Sequence, residues 1–437
     1  MKFRKSGQCV LTLLVSLGLI CGVTSCTTDY TIGYLFATGT AANNPSGGQI
    51  NGYKIANNTG KLTPVAKSPF ASAGANPRRA IMAVNNLFLY VLNAGTADPT
   101  DATKSDSSNV ALFSVGGGGT LNFQATYTSQ GNYPLAIAID TSGSFLYVLD
   151  QYSPSTSMPC IDSAGVAHPT GEITAFKIDG STGRLQLLFN QQLKNPDGTQ
   201  LTYFPVGCFP IDFKLVSNNL YTIEAGTAAT NDVQSVFVYG VGGTSGQLTL
   251  TQNVPLPTGA ANLTAIGSGA SYVYLFDAGS NPGGAGNSSF VLPYSPGANG
   301  ILQAVTGGAI QQDATAQGPT AMTTDSTGKH LYVTNAGPTT STTNPTSVIT
   351  GYNILSTGLL SPTGGSPFGS PFVSGSGPRC IVEDPSNQYI YTANFNSSSV
   401  NAYVLNSQSG NLDAPHSAPS YSTNDNLTWC VVSSRPQ

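Results

Sequence analysis

Pro378-Arg-Cys-Ile-Val-Glu-Asp-Pro-Ser-Asn-Gln-Tyr-Ile-Tyr-Thr-Ala-Asn394 contains a proline-led apolar strand, a tight polar turn and a second apolar strand closing on Asn394. The same unit recurs at Pro77 to Asn93, Pro134 to Asp150, Pro210 to Glu224, Asn262 to Asp277 and Pro319 to Asn335, at spacings of about 50 to 76 residues. Two more β-patterned runs follow each unit, such as Ile173-Thr-Ala-Phe-Lys-Ile178 and Leu185-Gln-Leu-Leu-Phe189. A fixed-period repeat of four strands is the content of a propeller blade, so an all-β ring is expected.

The ends of the chain set the number of blades. Thr428-Trp-Cys-Val-Val432 reads as the first strand of a seventh unit with nothing after it, and its partners stand at the other end of the chain. Tyr34-Leu-Phe-Ala-Thr38 copies the second strand, while residues 49–55 and 62–66 supply the third and fourth. A C-terminal strand hydrogen-bonded to three N-terminal strands leaves no open edge, which predicts a seven-bladed ring closed within one blade. The turns between first and second strands and between third and fourth strands are short. The long segments, such as 96–108, 151–170, 191–207 and 361–377, all fall at the other two connections. One face is therefore loop-rich, and a ligand site is expected there, on loops mounted on a rigid scaffold.

Ahead of the ring, Lys2, Arg4 and Lys5 precede an apolar run from Val10 to Val23 and the tripeptide Val23-Thr-Ser25 before Cys26. Such a run is shorter than the roughly 20 residues of a membrane span and reads as a cleavable export signal, residues 1–25. Val-Thr-Ser-Cys resembles the lipobox of bacterial lipoproteins. This resemblance implies a diacylglyceryl anchor on Cys26 that tethers a single propeller domain, 26–437, to the cell envelope on its periplasmic or outer-membrane side. That compartment permits disulfides. Cys160 and Cys208, on one face between neighbouring blades, form a candidate pair, whereas Cys380 and Cys430 are open between an offset disulfide and two buried thiols.

Charged residues are only 8% of the chain, and losing the three cations of the leader takes the formal net charge from −4 to −7. No basic cluster remains to track a phosphate backbone, so nucleic acid is excluded as a partner. A monomer is expected that meets a small molecule or a protein at the loop-rich face and the membrane through its lipid.

Gly377 to Asn394, followed by Val400 to Leu412, resembles the lactonase-type seven-bladed propeller family, which includes bacterial 6-phosphogluconolactonases. The rhythm of the resemblance runs from about Tyr30 to the C-terminus, and it implies lactone hydrolysis. The family's Gly-Pro-Arg-His reads Gly-Pro-Arg-Cys380 here, so Arg379 carries over and the histidine does not.

Lactone opening needs a base for water and a cation for the developing oxyanion. Glu224 replaces the Asn or Asp that ends the other second strands and is the candidate base; it also stands where side chains commonly bond nearby backbone. Aligning the first strands through their cysteines puts Arg78, Trp429 and Arg379 at one height in three consecutive blades. This is a candidate anion or sugar-acid site of two guanidinium forks and an indole face, with packing between blades as the plainer alternative. Arg79 is expected to face the neighbouring blade, since side chains alternate along a strand. His168, His330 and His416 read as turn or surface residues, and Asp98, Asp101 and Asp106 as a solvated loop without calcium spacing. Gly116 to Gly119 is a hairpin turn, because no helix follows it to make a phosphate cradle. No metal and no cofactor is expected. The leading expectation is a noncatalytic envelope propeller that binds a ligand or partner, and the opposing one is a hydrolase of the 6-phosphogluconolactonase type.

Overall fold

The computed structural model describes residues 30–42, 44–97, 105–226, 234–255, 260–280, 288–337, 347–363, 370–415 and 417–434. Cys26 and its leader, Asp98, Asp101 and His416 lie outside the described residues. Seven antiparallel sheets stand around a central channel. Blades 1 to 6 begin with the strands Pro77–Met82, Asn132–Ile139, Pro210–Val216, Leu263–Gly269, Pro319–Thr324 and Pro378–Glu383. Each then runs outward through three more strands in simple order.

Blade 7 is the composite. Its sheet order is Leu62–Pro64, Asn44–Ala56, Thr31–Ala41 and Asp425–Ser434, so the last strand of the chain is innermost. The closing pair runs from Gly33 opposite Ser434 to Ala41 opposite Asp425, with Leu35 facing Val432. In five blades a fifth short segment, such as Phe204–Pro205 or Phe372–Val373, pairs with the third strand on its way to the next blade.

The core lies between blades. Second strands are flanked on both faces, and Phe88–Asn93, His330–Asn335 and Tyr389–Asn394 are buried at every residue. The recurring tyrosine explains much of the specificity of this packing. Tyr90, Tyr147, Tyr221, Tyr274, Tyr332 and Tyr391 are fully buried, and each hydroxyl donates to the carbonyl of Gly183, Gly246, Gly300, Gly358, Gly410 or Gly60 in the next blade, at 2.6 to 3.4 Å. Those six glycines all have positive φ in the turn between third and fourth strands, a conformation that costs other residues dearly.

Blade 7 makes the equivalent bond with Tyr34, to Gly117 of blade 1 at 2.7 Å. Its strand register puts Phe36, opposite Val431, where the other blades carry their tyrosine, so Tyr34 sits two residues earlier on the same side of the strand. The sequence copy at Tyr34 to Thr38 is therefore shifted by two.

Both cysteine pairs are disulfides. Cys160 is joined to Cys208, linking the long segments of blades 2 and 3, and Cys380 is joined to Cys430, linking the first strands of blades 6 and 7.

Candidate functional site

Every first strand carries a bulge one residue after its leading position. In blade 1 Pro77 faces Asn93 and Arg79 faces Leu92, so Arg78 is the extra residue; the same shift falls at Leu135, Ile211, Thr264, Thr320 and Arg379. A bulge re-aims the side chain of its extra residue. Here it turns all of them into the channel at the loop-rich end. In blade 7, Leu427 faces Gly39 and Trp429 faces Thr38, which makes the extra residue Thr428.

These seven residues form the mouth ring, and all line a cavity of about 610 Å³. Four of them also stitch blade to blade, at 2.5 to 3.3 Å. Thr428 donates to the Pro77 carbonyl, Arg78 to Pro134, Thr264 to Pro319 and Thr320 to Pro378. The expected level row of Arg78, Trp429 and Arg379 is thus corrected to Arg78, Thr428 and Arg379. Trp429 belongs one step deeper, level with Arg79 and Cys380.

That one-residue correction also explains the second disulfide. Cys380 and Cys430 are not at one repeat position but at successive ones, and successive residues of a strand point to opposite faces. One therefore points from blade 6 toward blade 7 and the other back.

Arg79 meets its neighbouring blade, as expected, and also reaches beyond it. Its guanidinium lies 4.4 Å over the Trp429 ring of blade 7 and reaches Asp212 of blade 3 at 3.0 Å, spanning the channel. Asp212 is buried and also accepts the amide of Phe213 at 2.8 Å. The indole face expected to carry a ligand is thus covered by an arginine. Arg379 lies 5.4 Å over the ring of Phe395. Among the described residues neither Arg78 nor Arg379 has a carboxylate partner. Burial, followed by the like charges of Arg79 and Arg379, pushes the pKa of Arg78 down. Three guanidinium groups against one carboxylate make the mouth an electropositive funnel.

Beneath the Arg79–Asp212 pair lies a second cavity of about 440 Å³. An inner ring lines it, made by the residue two places beyond Arg79 in each strand: Ile81, Ala138, Lys214, Gly267, Thr323, Val382 and Val431.

Glu224 is placed elsewhere. It ends the second strand of blade 3, is 1% exposed and is not among the residues lining either cavity. Its Oε1 accepts the amide of Gly207 at 2.9 Å and the hydroxyl of Thr222 at 3.2 Å, and a Cβ at position 207 would collide with Oε2. The carboxyl ties the incoming segment beside Cys208 to its blade, as Asp277 does with the amides of Ala261, Asn262 and Gly279. This corrects the base assignment: the position fixes a connection and does not reach the channel. Burial pushes Glu224 up to about 8.

A carboxyl pair that sequence reading missed stands at the equivalent place in blade 2. Asp150 lies directly opposite Glu172 across two strands, both fully buried, with hydroxyls from Ser129 and Thr174 at 3.0 and 2.8 Å. Burial raises Asp150 to about 6 and Glu172 well above its ordinary value, so the pair keeps a proton. No local motif announces Glu172; only the strand pairing brings it to Asp150. Of the described histidines, His168 stacks on Tyr152 and bonds Asp162, and His330 bonds Asp325 inside a turn, 3.0 Å in each case.

The sequence matches the family described as lactonase, 7-bladed beta-propeller, over residues 46–164 and 288–425. The chain belongs to that family. Among solved structures, the lactonase propeller is similar to a candidate 6-phosphogluconolactonase of Bacteroides fragilis, with a TM-score of 0.63, 16% identity and coverage of 94% of this chain and 99% of that one. It is also similar to the periplasmic gluconolactonase PpgL of Pseudomonas aeruginosa (TM-score 0.61, 16% identity, coverage 93% and 100%). A Lactobacillus plantarum protein matches with a TM-score of 0.63, 16% identity and coverage of 92% and 99%. At such identities the likeness is one of fold. No curated protein matches the sequence.

The buried carboxyls give the propeller a definite pH response. Glu224 binds its proton more tightly in the folded chain than in the unfolded one. Its contribution to stability is therefore complete below the ordinary carboxylate range and is lost as pH rises toward about 8. In urea titrations Glu224→Gln is expected to make the fall in unfolding free energy between about pH 5 and 8 shallower by up to ~1.4 kcal/mol per pH unit. An unchanged slope would show that Glu224 is charged and compensated in the fold.

Proposed function

We propose that the channel mouth binds a small polyhydroxylated anion of the sugar-acid class, with Arg78 and Arg379 as the anchors. The observation that carries this reading is the pair of guanidiniums flanking Thr428 on the mouth ring. Neither has a carboxylate partner among the described residues, and Arg79 adds a third positive charge just below. Guanidinium forks match carboxylate and phosphate oxygens in pairs, and the mouth-ring threonine hydroxyls keep lone pairs that can accept from sugar hydroxyls. A cavity of about 610 Å³ lies within the range of small-molecule sites.

A second reading, lactone hydrolysis, is favoured by membership of the lactonase family and by the likeness to a gluconolactonase. There the arginines would hold the acidic group and the developing oxyanion while water attacks the ring ester. Asp212, held by Arg79, is the channel carboxylate nearest that chemistry among the described residues. Gluconate titrated into the purified full chain by calorimetry, alongside pH-stat assays of gluconolactone opening, separates the readings. Binding without turnover is expected. Arg379→Ala is expected to weaken binding by about tenfold or more, the worth of a charged hydrogen bond. Turnover above buffer that Arg379→Ala abolishes would replace binding by hydrolysis, and absence of both overturns the mouth as the site.

We also propose that the chain is exported and held at the cell envelope by lipid on Cys26. Two disulfides in one domain support an oxidising compartment. Radiolabelled palmitate is expected to enter the parent chain in a bacterial host and not Cys26→Ala; equal labelling of both refutes the anchor.

A further inference from the structure

The inner cavity has its own chemistry, separate from the mouth. The Arg79–Asp212 pair lies across the channel above it, so the two compartments share only the side chains of that partition and its flank, notably Arg79, Thr320 and Trp429. Lys214 is the one charged member of the inner ring, and the rest of its wall includes Ile81, Ala138, Val382 and Val431. The cavity continues past this ring to Ile139 and Leu215, toward the face opposite the long loops.

Lys214 is exposed, and it lines the channel, so the surface it presents is that of the chamber. Asp212, the carboxylate that acts on it most, is already held by Arg79 at 3.0 Å and by the Phe213 amide at 2.8 Å. Among the described residues the ammonium has no ion-pair partner of its own. Burial, with the like charge of Arg79 added, lowers its pKa and Asp212 partly offsets this, so a second negative group would be welcome. A mainly apolar belt, in which Thr323 is the one polar side chain besides Lys214, holds a single point-like cation and is the complement of an amphipathic monoanion. A wall of phosphate-binding character would instead present several donors in fork geometry. Ordinary packing would have filled this space, yet Ile81, Ile139, Leu215, Val382 and Val431 all keep partly exposed aliphatic surface there. That surface is unfavourable against water at ~25 cal/mol per Å².

We propose that this inner chamber binds a short aliphatic carboxylate, its headgroup on Lys214 and its tail along Ile81, Ala138, Val382 and Val431. The site is independent of the sugar-acid reading of the mouth. Octanoate serves as the probe, titrated into the full chain by calorimetry while the emission of Trp429, the sole tryptophan, reports on the partition above the chamber. Octanoate is expected to bind once per chain and to shift the Trp429 emission. Octanol is expected to bind about tenfold more weakly, and Lys214→Met to cost octanoate about tenfold or more while Lys214→Arg retains most of its affinity. Arg379→Ala is expected to leave octanoate binding unchanged, which separates this site from the mouth. The proposal is overturned if octanoate does not bind the parent chain, if octanol binds equally well, or if Lys214→Met binds octanoate as the parent does. Should Lys214→Met fail to fold, the comparison of octanoate with octanol on the parent chain decides alone.

Discussion

Closure of the ring is the constraint on which the other features depend. Seven blades meet their neighbours through the same contacts, and six of the junctions are made within a continuous run of chain. The seventh exists only because Asp425–Ser434 lies against Thr31–Ala41 in one sheet. Around the whole circle a buried tyrosine hydroxyl of one blade reaches a glycine carbonyl of the next, each bond worth on the order of 1 kcal/mol net and each leaving an orphaned buried group if lost. Tyr391 to Gly60 and Tyr34 to Gly117 carry this pattern across the composite blade, so the ends of the chain are bound into the same circle as its middle.

Closure is also what turns a repeat into a site. Once the first strands stand at equal angles around one axis, residues at equal register become rings at fixed depths. The bulge in every first strand decides which residue joins which ring. The mouth ring holds three blade-stitching threonines, two guanidiniums and the aliphatic side chains of Leu135 and Ile211. The next level is bridged by Arg79 and Asp212, and the one below is a mainly apolar belt with a single lysine. Three chemically different floors thus come from strands only six to ten residues long. The family likeness accounts for the scaffold, and the chemistry of each floor comes from the side chains that this scaffold aims into the channel.

Much of the scaffold was legible in the sequence, because a strand that must be buried on both faces is written in continuous apolar residues and its turns in Gly, Asn and Asp. The composite blade, the loop-rich face and the Cys160–Cys208 pairing could be read in the same way. The site was less legible, for one geometric reason. A bulge adds a residue without changing the hydrophobic pattern, so matching Cys380 to Cys430 put Trp429 level with the arginines and left Thr428 unnoticed. The same slip hid the offset by which those cysteines reach each other. Alternation along the strand turns Arg79 toward the neighbouring blade, where it covers Trp429, but does not foretell that it also spans the channel to Asp212, two blades on. Glu224 looked unusual beside its Asn and Asp counterparts, yet like Asn93, Asp150, Asp277 and Asn394 it holds an incoming connection in place. The Asp150–Glu172 pair was invisible for the opposite reason, since nothing in a linear sequence says which second-strand residue faces which third-strand residue.

The most direct test of ring closure removes the closing strand. A chain ending at residue 424 keeps six complete blades, both cysteines of the Cys160–Cys208 bridge and every residue of the inner ring except Val431. If closure organises the fold, this chain loses the cooperative unfolding transition of the parent in circular dichroism, and adding a peptide of residues 425–437 in trans restores it. A truncated chain that melts as one unit at the parent's temperature, without the peptide, would contradict the account.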